Sequence, residues 1–299
     1  MTPVELSGNE LLAWRRAQLA TGGRAVDLDW LLDLAGGLRW ADLQALHLDP
    51  AARRVRLACE LSELASLWQR HRLQHEPLQH LVGRCPWRDL ELTVSAAALI
   101  PRQETESLVD LALECWRAAQ PGASPQPLLR WADLGTGSGA LAVALARAFP
   151  QASGHAVDCS EAALALARLN LEQHAVSERC SLHSGDWWQP LRPWWGLLQL
   201  VLSNPPYIPS AVVDLLDPVV REHEPRLALD GGADGLAATR LILAGAPEAL
   251  APGGWLLIEH HHDQSEAVLD LCAAAGLDHL KAETDWQGVR RFACARRPC

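Results

Sequence analysis

Ser203-Asn204-Pro205-Pro206-Tyr207 combines residue types suited to holding a reacting group. It follows an apolar run, residues 197–202, of the kind that forms a buried strand. Two prolines cannot continue a central strand, so the chain turns out of the sheet there. In an open α/β sheet the carboxyl ends of the strands are where ligands bind. The Asn204 side-chain oxygen can accept one N–H, the Pro205 carbonyl a second, and Tyr207 can pack on the flat face of a target. These groups fit a planar amide or amino nitrogen. The bland alternative is a Pro-Pro turn that only closes a strand.

A second candidate lies upstream. Gly135-Thr136-Gly137-Ser138-Gly139 joins an apolar strand, residues 128–134, to a helix over 140–148. The glycines permit close backbone approach, and the start of the helix presents free N–H groups. Asp158 follows Gly139 by roughly 20 residues, the offset at which a strand-end carboxylate meets ribose hydroxyls. An adenosine-bearing cofactor suits this arrangement. Gly135-x-Gly137-x-x-Ala140 also fits the dinucleotide fingerprint, so a dehydrogenase competes on this segment alone. Asp133, placed to face a cofactor ammonium, and Asp186-Trp187, placed after a third strand to meet adenine, favour S-adenosylmethionine. Core packing is the other reading of Trp187, since the chain has 13 tryptophans.

The elements that must position these residues follow from periodicity. Up to about residue 82 the pattern is helical, with helices over 9–20, around Trp30 to Leu34 with Asp27 or Asp29 as its cap, over 39–47, and from about 53 to 75. From Gly83 to Pro101 it changes to period 2, a hairpin pattern. A helix over 108–118 begins at Thr105 or Ser107, and acidic residues there suit a helix start. A loop rich in proline spans 121–127. Beyond it, strands ending near Leu134, Asp158, His183, Leu202, Glu259 and Ala295 alternate with helices, Ser160 capping the one over 161–174. This pattern is a mainly parallel, doubly wound α/β sheet.

Composition narrows the function. The 299 residues allow one large or two modest domains, and the net charge of −10 gives no long-range attraction to nucleic-acid phosphates. No apolar run is long enough to span a membrane, and residues 1–5 carry no secretory pattern. The eight cysteines contain no Cys-x-x-Cys pair and indicate reduced thiols in the cytoplasm. His260-His261-His262 invites a metal reading, but neighbours in sequence point in different directions, so no metal is expected.

Together these residues resemble the protein-(glutamine-N5) methyltransferases that act on peptide chain release factors. Asn204-Pro205-Pro206-Tyr207 is similar to the motif of methyltransferases that modify nitrogen conjugated to a π system. Glu76-Pro77-Leu78-Gln79-His80-Leu81-Val82-Gly83 looks like the family's interdomain segment. Leu99-Ile100-Pro101-Arg102-Gln103-Glu104-Thr105-Glu106 resembles its Leu-Ile-Pro-Arg-Pro-Glu-Thr-Glu signature, with Gln103 in place of the second proline. Further matches are Asp133 through Gly139, Glu224-Pro225-Arg226-Leu227-Ala228-Leu229, Gly231-Gly232, Gly235-Leu236, Glu259-His260 and Gln264-x-Glu266-Ala267-Val268.

The resemblance implies a Rossmann-like class I methyltransferase domain over 103–299, a hairpin linker over 83–102, and a helical substrate-docking domain over 1–82, five-helix-like. It implies S-adenosyl-L-methionine as donor, bound by Gly135, Thr136, Gly137, Ser138, Gly139, Asp158, Trp187 and Asn204. Asn204, Pro205, Pro206 and Tyr207 would hold the target, the glutamine of a class 1 release factor Gly-Gly-Gln loop, with Asn204, Pro205 and Tyr207 as the catalytic set. The partner is then a protein in translation termination, with neither nucleic acid nor membrane contacted directly. Alternatives are glutamine methylation of a large-subunit ribosomal protein and adenine-N6 methylation of nucleic acid. The second requires a basic groove and a recognition domain that the acidic chain does not offer.

Overall fold

The computed structural model describes residues 3–118 and 129–299. The proline-rich loop expected at 121–127 lies outside the described residues. Along the chain run β1 (Val4–Ser7), α1 (Gly8–Ala20), α2 (Ala25–Leu34), α3 (Trp40–Leu48), β2 (Arg54–Leu57), α4 (Leu61–Gln74) and α5 (Leu78–Val82). A hairpin of β3 (Arg84–Trp87) and β4 (Leu90–Thr93) precedes α6 (Glu106–Ala118). Then come β5 (Arg130–Leu134), α7 (Ala140–Ala148), β6 (Ser153–Asp158), α8 (Glu161–Gln173), β7 (Cys180–Ser184) and β8 (Leu198–Ser203). Two short helices, α9 (Ser210–Val213) and α10 (Pro218–Arg221), lead to α11 (Ala237–Ala249), β9 (Leu250–Glu259), α12 (Ser265–Ala274), β10 (Asp278–Thr284) and β11 (Arg290–Arg296).

The chain divides into two compact units. One holds the chain through Arg84 together with Asp217–His223, the other Cys85–Leu216 with Glu224–Cys299. In the first unit, α1 opens on a capping box in which Ser7 and Glu10 satisfy each other's backbone N–H groups. Leu11, Leu28, Leu31, Leu32, Leu43, Leu64 and Trp68 form its core. Two expectations fail here. Residues 54–57 are a strand, not the start of the fourth helix. Arg-Val-Arg-Leu alternates, and it pairs antiparallel with β1, Val4 opposite Leu57. Asp29 is no cap either. It lies buried inside α2 and takes a two-pronged ion pair from Arg15 at 2.6 and 2.8 Å, while Asp27 sits in the helix's first turn. The return of Asp217–His223 to this unit, where His223 Nε2 meets the Gln74 carbonyl at 2.6 Å, has no local sequence signal.

The second unit is a seven-stranded sheet in the order β10-β11-β9-β8-β5-β6-β7. The five strands from β9 to β7 are parallel; β11 runs antiparallel to β9, and β10 to β11. The strand β10, absent from the sequence reading, alternates exposed and half-buried residues at the sheet edge and so carries little hydrophobic pattern. One sheet face packs Trp131, Leu200, Leu202 and Leu257 against α6 and α7; the other packs Ala132, Leu134, Val201 and Ile258 against α11 and α12. A Cβ on Gly154 of β6 would lie 2.0 Å from the Trp131 indole, so that glycine makes room for the largest core ring.

From β5 the chain builds outward to β6 and β7, then crosses back to lay β8 on β5's other side. The carboxyl ends of β5 and β8 therefore flank the point where strand order reverses. Open α/β sheets leave their ligand crevice there.

Candidate active site

The glycine turn leaves β5 at this point. Gly135, Gly137 and Gly139 have φ of 75°, 55° and 81°, the left-handed region that side chains disfavour. The N–H groups of Gly135 and Thr136 both donate to the Val157 carbonyl, each at 2.9 Å. Asp158 closes the turn from β6. Its Oδ2 accepts from the Gly137 N–H and its Oδ1 from the Ser160 N–H, both at 2.9 Å. Asn170 of α8, fully buried, donates to the Ser138 carbonyl at 2.8 Å and exchanges bonds with the Thr93 backbone.

Asp133 lies beneath this turn instead of facing a cofactor ammonium. It is 1% exposed and takes the Thr136 hydroxyl at 2.6 Å. Burial pushes its carboxyl up to about 7, although the Thr136 bond pulls the other way. Strand alternation aims it inward, away from solvent.

A cavity of about 240 Å³ opens over the turn. Gly135, Thr136, Gly137, Ser138, Asp158, Trp187, Asn204 and Pro206 line it, together with Leu99, Pro101, Arg102 and Thr105. Trp187 follows β7 with φ of 43°, and its ring lies 3.3 Å from where a Cβ on Gly135 would stand. Its neighbour Trp188 is core: buried, with its indole N–H on the Ile242 carbonyl at 2.7 Å. Gly139, Pro205 and Tyr207 are not among the lining residues. A Cβ on Gly139 would come within 3.1 Å of Ala167 in α8, so that glycine serves helix packing.

Asn204 ends the strand-to-loop turn at β8. Its Nδ2 donates to the Thr105 Oγ1 at 3.1 Å. Among the described residues no donor is bonded to its Oδ1 or to the Pro205 carbonyl. Tyr207 does not present its ring to the cavity, because its hydroxyl has found a buried acceptor: it donates to Glu259 Oε1 at 3.3 Å. Its backbone carbonyl takes the Gln264 side-chain N–H at 3.0 Å. A Cβ on Gly235, at φ of 77°, would lie 2.2 Å from that carbonyl, so only glycine lets the two segments meet.

Two carboxylates were not singled out as site residues from sequence. Glu259, 1% exposed at the end of β9, is pushed up to about 7 by burial, against the pull of Thr105, Tyr207 and Arg291. The Tyr207 hydroxyl is in turn pushed well up by burial and by that carboxylate. Glu224 accepts from Arg102 at 2.7 Å and from the Ile100 N–H at 3.3 Å, tying the 99–106 loop to the 224–229 segment. A readable signal existed for Glu259: a carboxylate closing an apolar strand, as Asn204 closes its own. His260 is buried with Nδ1 beside the His261 carbonyl at 2.8 Å, and His261 meets Asp263 at 2.7 Å. Among the described residues no group of three or more His, Cys, Asp or Glu is placed to hold a metal.

The arrangement gathers a glycine turn, a carboxylate and an amide whose oxygen accepts no hydrogen bond among the described residues around one cavity. Residues 125–234 match the methyltransferase small domain family. A Prochlorococcus marinus protein named release factor glutamine methyltransferase is 54% identical over 292 residues, covering 98% of each chain. A Synechocystis protein of the same name is 39% identical and covers 97% of each. Among solved structures, the hMettl16 catalytic domain in complex with the MAT2A 3′UTR hairpin 6 matches with a TM-score of 0.55 over 82% of this chain and 84% of that one. At 13% identity it shares the fold alone.

Proposed function

The chain belongs to the release factor glutamine methyltransferase family, and on that basis we infer that it methylates the side-chain amide nitrogen of a release factor glutamine. The donor is S-adenosylmethionine, and the target is the glutamine of the Gly-Gly-Gln loop. The observation that carries the reading is the unbonded Oδ1 of Asn204, a residue that lines the same cavity as the glycine turn and Asp158.

The residues present fit the donor. Gly135 and Gly137, which line the cavity, present backbone with no Cβ. Asp158 uses one lone pair of each oxygen on the backbone and keeps the others for ribose hydroxyls. The half-buried Trp187 offers a ring face to adenine. When bound, S-adenosylmethionine supplies a methyl group on a positively charged sulfur.

An amide nitrogen is a weak nucleophile because its lone pair is delocalised into the carbonyl. The work of this chain is therefore positioning. Asn204 Oδ1 and the Pro205 carbonyl accept the two amide hydrogens and set the direction of the nitrogen. These bonds strengthen as positive charge builds there. The surplus proton leaves after transfer. Pro206 shapes the cavity wall, and Tyr207 holds the loop. The helical unit, which exposes Trp40 and Leu48, is assigned the docking of the release factor. Eight free thiols fit a reducing compartment, the cytoplasm.

The test is incubation of the purified protein with labelled donor and, separately, a release factor, a Gly-Gly-Gln peptide, a large-subunit ribosomal protein and DNA. Label on the release factor glutamine is expected, with the short peptide a poorer substrate because it lacks the docking surface. Label on ribosomal protein or DNA with none on the release factor would overturn the reading.

A further inference from the structure

S-adenosylmethionine carries a sulfonium, an ammonium and a carboxylate at neutral pH. The fit given above places its ribose and its adenine but leaves the carboxylate without a partner. An anion moved from water into a partly enclosed cavity is costly unless a cation or several N–H groups meet it. Asp158 and Asp186, both in the cavity lining, repel it. Among the described residues that line the cavity, Arg102 is the single Lys or Arg.

We propose that Arg102, braced by Glu224, binds the carboxylate of the donor's amino-acid tail. The inference rests on the donor and on the target nitrogen being held at Asn204, since these decide which end of the donor meets which end of the cavity.

The order of the strands gives the donor a direction. Trp187 follows β7, Asp158 ends β6, the glycine turn leaves β5 and Asn204 follows β8, and these strands are neighbours in that order. With adenine at Trp187 and ribose at Asp158, the sulfur comes to the β5–β8 side, where its methyl can meet a nitrogen held at Asn204. The amino-acid tail continues from the sulfur, so its carboxylate falls on this side as well. The 99–106 loop borders the cavity here. Ala98, just before it, stands 3.7 Å from where a Cβ on Gly137 would be, and Thr105 Oγ1 accepts from Asn204 Nδ2 at 3.1 Å.

Arg102 is fixed within that loop at its backbone and at its side chain. Its carbonyl accepts the indole N–H of Trp87, itself 1% exposed, at 2.7 Å. Its Nη2 donates to Glu224 Oε1 at 2.7 Å, and the Glu224 side chain is 1% exposed. Glu224 Oε2 also accepts the Ile100 N–H at 3.3 Å, so the carboxylate that orients the guanidinium is tied to the loop that carries it. A guanidinium has five N–H groups in a rigid fork, and one carboxylate fits two of them. Among the described residues the Arg102 Nε and Nη1 close no hydrogen bond, and the side chain is 33% exposed. A second carboxylate therefore has N–H groups left to accept from. A lysine could serve either carboxylate as a point charge but could not fork between them.

Calorimetry on the purified protein separates this role from a structural one. The probes are S-adenosylmethionine and its decarboxylated form, which lacks the carboxylate and keeps the amine and the sulfonium. Arg102→Gln is expected to weaken S-adenosylmethionine binding by about 10–10²-fold, as for loss of a charge-assisted hydrogen bond, and to leave the decarboxylated form within about twofold. The wild-type protein should prefer the full donor by a similar factor, and Arg102→Lys should recover part of the loss. Arg102→Gln leaves Glu224 buried without its cation, so melting temperature is followed as well. The double variant Arg102→Gln/Glu224→Gln buries no unpaired charge and should show the same selective loss. Equal weakening of both probes, or no weakening of either, would overturn the proposal. So would an intact donor affinity with a raised KM for the release factor, which would make Arg102 a contact for an acidic group of that partner. Selective loss in a protein that labels no release factor supports the Arg102 contact and sinks the assigned activity instead.

Discussion

The two loops that meet at the cavity are built in opposite ways. The glycine turn is held by its own neighbourhood. Its bonds run to Val157 and Asp158 on the adjacent strand, and its shape is set by three glycines in the left-handed region. The loop from Asn204 to Tyr207 is held from far away in sequence. Its partners Thr105, Glu259 and Gln264 stand 99, 52 and 57 residues off. The first loop is shaped by backbone bonds to one adjacent strand, which any folded α/β unit can present. The second begins at one side-chain amide, whose partner Thr105 only the finished fold brings near.

That contrast is open to direct test. Asn204→Ala should have the largest effect, a fall in rate on the order of 10²–10³, as for loss of one preorganised polar group, while donor affinity and melting temperature hold. Full methyl transfer by this variant would end the assignment. Asp158→Ala should act on the other loop. Loss of charge-assisted bonds worth about 1.5–3 kcal/mol predicts donor affinity weaker by about 10–10²-fold in calorimetry, without a comparable change in KM for the release factor. If donor affinity stays put, Asp158 only braces the turn.

Gly235→Ala tests the distant support. The added Cβ would stand 2.2 Å from the Tyr207 carbonyl, and the residue would be kept at positive φ. A loss of about 1–3 kcal/mol in denaturant unfolding is expected, with activity reduced through the displaced loop. An unchanged unfolding midpoint would show that the loop does not need this close approach.

The smallest effect concerns pH. Glu259 is pushed up from 4.5 to about 7, so the folded state holds its proton more tightly than the unfolded chain does. Its contribution to stability is therefore complete below about 4.5 and is lost as pH rises toward 7. Activity should move the other way, since the ionised carboxylate is the better acceptor for the Tyr207 hydroxyl that holds the loop. Glu259→Gln should flatten the rise in kcat across pH 7 and weaken the fall in stability below it. Asp133, also raised to about 7, leaves a residual slope.

The same contrast explains how far the sequence could be read. The alternation of strands and helices, the glycine turn and the strand-ending Asp158 are local patterns, and each is found where its spacing puts it. The failures have local causes too. Arg-Val-Arg-Leu is too short to separate a strand from a helix start, and its partner Val4–Ser7 lies some fifty residues earlier. The edge strand β10 lacks a clean hydrophobic face. Asp133, read from its place at a strand end as facing a cofactor, and Tyr207, read as packing on a target, are a buried carboxyl and a buried hydroxyl that go where hydrogen bonds are found. For Asp133 that is the Thr136 hydroxyl, for Tyr207 the carboxylate of Glu259.

Residue order along the chain was enough to place a Pro-Pro turn after one buried strand and a glycine turn after another. Those features depend on backbone torsions and side-chain alternation, which act over a few residues. Folding alone could decide that residues of both turns line one cavity at the reversal of strand order, and that Thr105 meets Asn204 while Glu259 meets Tyr207. Hydrogen bonds between residues far apart in the chain exist only once burial has brought the strands together and shut water out.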